Sequence, residues 1–295
     1  MPLNPFISVI IPTYHDWKRL SYCIEALDKQ TYPKELFEVI IVNNDPKDQV
    51  PKGYYLPNNI TITAERASGS YAARNKGISL AKGEIFAFTD SDCIPDVNWL
   101  TNAVQFFKKH PEYDRIGGKV ELFFSSSQYT LAEAYEIVYA FRQDENVKKG
   151  RSVTANMITK KEVLDAIGPF NQGMYSGGDF EWGERASGSG FNIGYAPDVI
   201  IKHPARKEIK QIIKKARRVV SGKAEMVKKS TLEKYINFFY EMRPPLKEFK
   251  HIFSRGKQLN TRLKLLVFFT RYNIKVTRAY EELRLAHGAK PMYDA

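Results

Sequence analysis

Two short runs near the amino terminus, Ile7-Ser-Val-Ile-Ile11 and Val39-Ile-Ile-Val42, are almost continuously apolar and stop abruptly, the first at Pro12-Thr13-Tyr14 and the second at Asn43-Asn44-Asp45-Pro46. A strand without polar alternation has both faces buried, the condition of a parallel sheet covered by helices on each side. The segment between them, Trp17 to Lys29, supplies such a helix, with Leu20, Ile24 and Leu27 on one face and Tyr32-Pro33 beyond its end. Strand, helix, strand in this order predicts an α/β fold with a mostly parallel sheet. Open sheets of this kind bind ligands outside the carboxyl ends of their strands, so the polar tips are expected to meet at one edge and form one site.

A third tip carries the chemistry. Glu84-Ile-Phe-Ala-Phe-Thr-Asp90-Ser91-Asp92 ends an apolar strand in two carboxylates two positions apart. If the backbone stays extended, both point to the same side and converge on one hard cation such as Mg²⁺ or Mn²⁺. The alternative is a plain strand-to-helix turn in which Asp92 or Asp96 caps a helix starting near Val97.

Further along, Thr61-Ile-Thr63 reads as a strand, and Tyr71 to Ala81 as a helix whose first turns hold Arg74 and Asn75. An arginine there suits an anion at the helix start, or simply solvent. Trp99 to Lys109 is a helix and Arg115 to Leu122 a strand, followed by a helix carrying Leu131, Tyr135, Val138 and Tyr139, a strand over Ser152 to Thr159 and a helix over Lys161 to Ala166. A second polar cluster, Gly177-Gly178-Asp179-Phe180-Glu181-Trp182-Gly183-Glu184-Arg185, places Asp179 at a helix start, where dipole stabilisation alone also favours acids. Phe191 to Tyr195 and Val199 to Ile201 read as two strands, the second ending at His203-Pro204. That histidine is structural or a partner for Asp92.

Charge divides the chain. Residues 1–205 carry a net −3 and residues 206–295 a net +15, which sets a boundary between a domain over 1–205 and a basic helical region over 206–295. In the latter, Ile209, Ile212, Ile213, Ala216, Val219, Val220 and Val227 recur at helical spacing among Lys210, Lys214, Lys215, Arg217, Arg218, Lys228 and Lys229. A second helix aligns Leu265, Phe269, Tyr272, Val276, Tyr280 and Leu283. Three uses fit such helices: docking on anionic lipid, binding nucleic-acid phosphates, and packing on the catalytic domain or a twin subunit. Cys23 and Cys93 lie in no CxxC or His/Cys pattern, no apolar run approaches membrane-spanning length, and Met1 to Phe6 leaves no room for a signal peptide; a cytoplasmic setting is expected.

The ordered set Ser8-Val-Ile-Ile-Pro12-Thr-Tyr14, Phe37-Glu-Val-Ile-Ile-Val42, Ala73-Arg74-Asn75-Lys-Gly77, Asp90-Ser-Asp92, Gly178-Asp179 with Arg185, and Gly190 to His203 resembles the inverting glycosyltransferases of family 2, which have the GT-A fold. The resemblance implies a nucleotide-diphosphate sugar as donor and Mg²⁺ or Mn²⁺ as cofactor. It places Pro12, Thr13, Tyr14, Asn43 and Asn44 around the nucleoside, Arg74 at the diphosphate, Asp90 at the ribose or diphosphate, Asp92 and His203 at the metal, and Asp179 as catalytic base. Two departures stand out: the usually acidic second tip begins with Asn43-Asn44, and the acidic pair before the catalytic helix is reduced to Gly178-Asp179, with Glu181 as an outside candidate. The absence of a Gln-x-x-Arg-Trp motif implies transfer of a single sugar to a glycan or lipid-linked acceptor.

The same resemblance favours an anionic membrane surface for the basic helices, on the inner face of the plasma membrane. A homo-oligomer is a further expectation. No zinc, RNP or helix-turn-helix signature accompanies the basic residues, so nucleic acid is not an expected partner. The competing class is a nonenzymatic nucleotide-sugar or polysaccharide binding module that retains the fold.

Overall fold

The computed structural model describes residues 4–224 and 230–291. It divides into two compact units, one of Met1–Glu121, Phe141–Met174 and Gly178–Pro204, the other of Leu122–Ala140, Tyr175–Gly177 and Ala205–Ala295.

The first unit is α/β. β1 (Ile7–Thr13), α1 (Trp17–Asp28), β2 (Phe37–Asn43), β3 (Ile60–Ala64), α2 (Ser70–Leu80), β4 (Ile85–Phe88), β5 (Ile94–Pro95), α3 (Trp99–Lys109) and β6 (Arg115–Phe123) open the chain. After α4 (Leu131–Tyr139) come α5 (Gln143–Val147), β7 (Met157–Lys160), α6 (Lys161–Ile167), α7 (Gly178–Gly188) and β8 (Ile193–Pro204). The sheet runs β3-β2-β1-β4-β7-β6-β8-β5. β3, β2, β1 and β4 are parallel, whereas β4–β7, β6–β7 and β5–β8 pair antiparallel.

Alternation explains why both faces are covered. Ile7, Val9 and Ile11 of β1 pack with Leu20, Cys23, Ile24 and Leu27 of α1, while Ile10 points the other way, into a cluster with Phe86, Phe88 and Trp182. The turn into β4 is equally tight: a Cβ on Gly83 would lie 2.5 Å from the Ser8 backbone nitrogen and 2.6 Å from the Ile85 carbonyl oxygen. Because rigid backbone obstructs it, Gly83→Ala is expected to lower stability by about 3 kcal/mol, the upper end for over-packing. Urea denaturation, through the shift in midpoint at constant slope, measures this.

Several elements differ from expectation. Ser152 to Thr159 is a strand only from Met157, because Thr154–Asn156 forms a tight 3₁₀ turn. There the buried Asn156 amide donates to the Lys119 and Val199 carbonyls and accepts from the Trp99 indole. Phe191 to Ile201 holds one strand, β8, rather than two, running on through the exposed Pro197-Asp198. The helix near Val97 begins after Asn98, whose own side chain makes no cap bond; the Asp96 carboxylate accepts the Asn98 N–H at 3.0 Å and the Gln30 side-chain oxygen the Leu100 N–H at 3.1 Å, while Asp92 takes no part.

The second unit is helical. α8 (Ile209–Ala224), α9 (Thr231–Glu241), α10 (Glu248–Arg255) and α11 (Thr261–Ala286) follow β8. Val227, Lys228 and Lys229 lie outside the described residues. With α4, these helices bury Val138, Ile212, Ile252, Val267, Phe268 and Ile274. The stripe read from the sequence on α11 is not the packed one, since Leu265, Phe269 and Tyr280 are exposed. α9 and α10 were not foreseen, and among the described residues of α9 none is buried. A cleft of about 270 Å³ is lined by Leu131, Ile213, Leu266, Phe269 and Ile274.

Candidate active site

Parallel pairing brings three strand tips to one edge. The Asn44 N–H donates to the Thr13 carbonyl at 2.8 Å and the Thr89 N–H to that of Ile10 at 3.3 Å, fixing the ends of β2, β1 and β4 side by side. Thr13 is buried and its Oγ1 has no partner among the described residues, Pro12 is half-buried beside it, and Tyr14 is exposed. His15 adopts a φ of 50°, a left-handed conformation costly for a residue with a Cβ. Its ring nitrogens lie 3.1 Å from Asp45 and 3.4 Å from Asp48.

The amides of Asn43 and Asn44 hold the rim together. Asn43 donates to the Asp45 and Asp48 carbonyls and accepts from the Asp45 N–H. Asn44 donates to the Glu65 and Ala67 carbonyls and accepts from the N–H of Gly69, the residue that starts α2.

Asp90 and Asp92 do not lie on an extended strand. β4 ends at Phe88, and the Cys93 N–H bonds back to the Asp90 carbonyl at 3.1 Å, closing a turn. The next residues form β5, whose pairing of Ile94 with Lys202 and Pro95 with Ile201 draws the end of β8 alongside. As a result Asp90, Asp92, Cys93 and His203 offer ligand atoms within 4.8 Å of one another. His203 Nδ1 lies 2.7 Å from the Pro204 carbonyl, which only accepts, so Nδ1 is the donor there, and Nε2 faces Asp92 at 3.6 Å. Burial pushes the Asp92 carboxyl up, against the pull of His203, with Asp90 adding to the rise. Two carboxylates and an imidazole crowded this closely fit a divalent cation, and the buried Cys93 thiol, also pushed up by burial, is the least suited of the four to a hard one.

Cations of the chain itself border this cluster. Arg74, on α2, is buried and donates to Asp90 Oδ1 at 2.5 Å. Arg19 bridges Asp16 at 2.8 Å and Asp92 at 3.3 Å. The same helix reaches the second polar cluster, because Asn75 brackets the Phe170 backbone by both its N–H and its carbonyl, and the Tyr71 hydroxyl contacts Asp179. Burial holds the Asp179 carboxyl above the usual range for an aspartate, opposed by Arg74 and by bonds from Phe180 N–H and Tyr71. Glu181 is tied up by Arg185 at 2.6 Å.

Sequence reasoning missed Arg19, Tyr71 and Cys93. Only Arg19 left a trace, as the i+3 neighbour of Asp16; nothing local links Tyr71 to a residue 108 positions away.

The model of Glycosyl transferase family 2 matches residues 8–170. Glycosyltransferase AglE of Haloferax volcanii is 36% identical over 231 residues, 75% of this chain and 74% of the relative. Dolichyl N-acetyl-alpha-D-glucosaminyl phosphate 3-beta-D-2,3-diacetamido-2,3-dideoxy-beta-D-glucuronosyltransferase of Methanococcus voltae is 25% identical over 76% of this chain and 74% of its own length. Among solved structures, mannosyltransferase PcManGT from Pyrobaculum calidifontis in complex with GDP-Man and Mn²⁺ aligns with a TM-score of 0.58 at 20% identity, covering 98% of this chain and 77% of that one, a likeness of GT-A fold.

Proposed function

The chain belongs to glycosyl transferase family 2 and is a glycosyltransferase; on that premise we propose that it moves one sugar, with inversion, from a nucleotide-diphosphate donor to a hydroxyl of a glycan or lipid-linked acceptor. The observation that carries the reading is α2, which turns Arg74 toward the Asp90–Asp92–His203 cluster and Tyr71 toward Asp179.

Asp92 and His203, with Asp90 beside them, would hold Mg²⁺ or Mn²⁺. Such a cation neutralises charge growing on a leaving diphosphate. Arg74, itself buried, supplies fixed positive charge to the same oxygens. Pro12, Thr13, Tyr14 and the Asn43–Asn44 rim border the nucleoside. Asp179, with its carboxyl raised by burial, takes the proton of the acceptor hydroxyl. That oxygen attacks the anomeric carbon as the bond to the diphosphate oxygen breaks, and the nucleoside diphosphate departs with the electron pair. A single displacement from the opposite face inverts the carbon. Incubation with UDP-, GDP- and dTDP-sugars tests the reading: metal-dependent release of a nucleoside diphosphate is expected, and an acceptor product of retained anomeric configuration would refute inversion.

The relative from Methanococcus voltae, named for a dolichyl-linked acceptor, supports a lipid-linked one here, as does the apolar cleft of the helical unit. Among the described residues no helix is long and apolar enough to cross a membrane. Leu232, Ile236 and Phe239, on one face of α9, are 70%, 61% and 67% exposed. Lys264 lies 4.9 Å from the ring of the exposed Phe253, and Arg243 lies 5.3 Å from that of Tyr240. Apolar side chains rimmed by cations, in a region of net +15, fit an anionic lipid surface on the inner face of the plasma membrane. The protein is expected to float with phosphatidylglycerol vesicles at low salt and not with phosphatidylcholine alone. Leu232→Ser with Phe239→Ser should abolish flotation. Sedimentation with both vesicles, together with loss of a dimer in light scattering, would assign the face to a second copy instead.

A further inference from the structure

Asp179 sits in the first turn of α7, where backbone N–H groups lack partners within the helix. The acceptor for its N–H is the hydroxyl of Tyr71 on α2, at 3.2 Å. The same hydroxyl stands 3.3 Å from Asp179 Oδ1, and the Phe180 N–H bonds that oxygen at 3.0 Å. A phenol accepts from an amide and donates to a carboxylate at once. Oδ1 is thereby held twice, and the Thr154 N–H also acts on the carboxyl.

The contact is built rather than incidental. Tyr71 is buried, its ring lies 5.7 Å from that of Phe170, and a Cβ on Gly178 would come within 2.8 Å of Tyr71 Cε2. Tyr71 is also one turn from Arg74 on α2, so a single helix turn positions the group facing the diphosphate and the group facing the acceptor. We infer that Tyr71 is a positioning residue for the base: it caps α7 and pins Asp179 Oδ1, fixing the orientation of the carboxyl that takes the proton. This rests on the reading of Asp179 as base.

Tyr71→Phe keeps the ring and removes the hydroxyl. Using the full chain with Mn²⁺ and the sugar nucleotide selected from UDP-glucose, GDP-mannose and dTDP-rhamnose by wild-type hydrolysis, kcat is expected to fall by about 10²-fold with donor KM unchanged, the scale of a small misplacement at a reacting centre. The Tyr71 bond stabilises the ionised carboxyl, so the acid limb of the pH profile and the Asp179 carboxyl-carbon NMR titration should both move to higher pH. A structural role alone would move neither. Gly178→Ala, which pushes the ring aside while keeping the hydroxyl, should reproduce the kcat loss. Unchanged kcat and an unchanged Asp179 titration in Tyr71→Phe would overturn the inference. If instead Asp179→Asn retained full turnover, the base reading would fall, and the NMR titration would still decide whether Tyr71 holds that carboxyl.

Discussion

Asp179→Asn is expected to reduce sugar transfer by about 10²–10⁴-fold, the usual contribution of a general base, while donor affinity stays at the wild-type value. The amide is isosteric, and its oxygen can still accept from Tyr71 and from the Phe180 N–H, so geometry survives and only proton acceptance is lost. A stability signature should accompany the loss. A carboxyl whose folded pKa is raised stabilises the fold while protonated, and that contribution disappears as pH rises through the folded value. At neutral pH the ionised Asp179 is therefore a burden, and the variant should melt at or above the wild-type temperature. In the wild type, activity should fall with acid along a limb lying above the ordinary aspartate value of 3.8. Single-turnover kinetics with calorimetry of donor binding provide the check, and a mutant turning over at the wild-type rate would remove Asp179 from the chemistry.

Asp92→Ala should eliminate the metal-dependent part of nucleotide-sugar affinity, on the order of 10²-fold or more for a cation that neutralises a diphosphate. The wild-type carboxylate is pressed between Asp90 and His203 and also bonds Arg19. Titration of the nucleotide with Mn²⁺ and with chelator should differ strongly for the wild type and little for the variant. Equal metal enhancement in both proteins would show that the cation is held elsewhere.

Much of the architecture could be read from residues close together in sequence. β1, α1, β2 and α3 fall within a residue or two of their expected bounds because strong apolar runs and helical spacing are local signals. The elements that escaped lack such signals. β5 has only two residues, and its existence depends on β8, more than a hundred positions later. Pro197-Asp198 looks like a strand breaker, yet β8 continues through it with both residues at the surface. The first half of the strand expected from Ser152 gave way to a turn that places one buried amide between two carbonyls and an indole.

The same holds for the site. Asp90, Asp92 and Asp179 stood out because carboxylates at strand tips and glycine-flanked helix starts are unusual locally. Their surroundings were legible only in part: His203 stood as a candidate partner for Asp92, whereas Tyr71 and Arg19 depend on contacts between distant segments. The turn that bends Asp90 and Asp92 together stood only as the alternative to an extended tip, since a pair two apart suggests an extended chain as readily as a folded one.

The bonds spent by Asn43 and Asn44 bear on any attempt to redesign donor preference. Each amide ties its own strand end to a neighbouring loop, and Asn44 reaches the start of the helix that carries Arg74. Swapping either for an acid in order to copy a relative's nucleobase selectivity would unfasten the scaffold before it retuned recognition. Re-engineering is better aimed at Tyr14, His15 and Asp45, whose side chains fringe the same rim without stitching it to that helix.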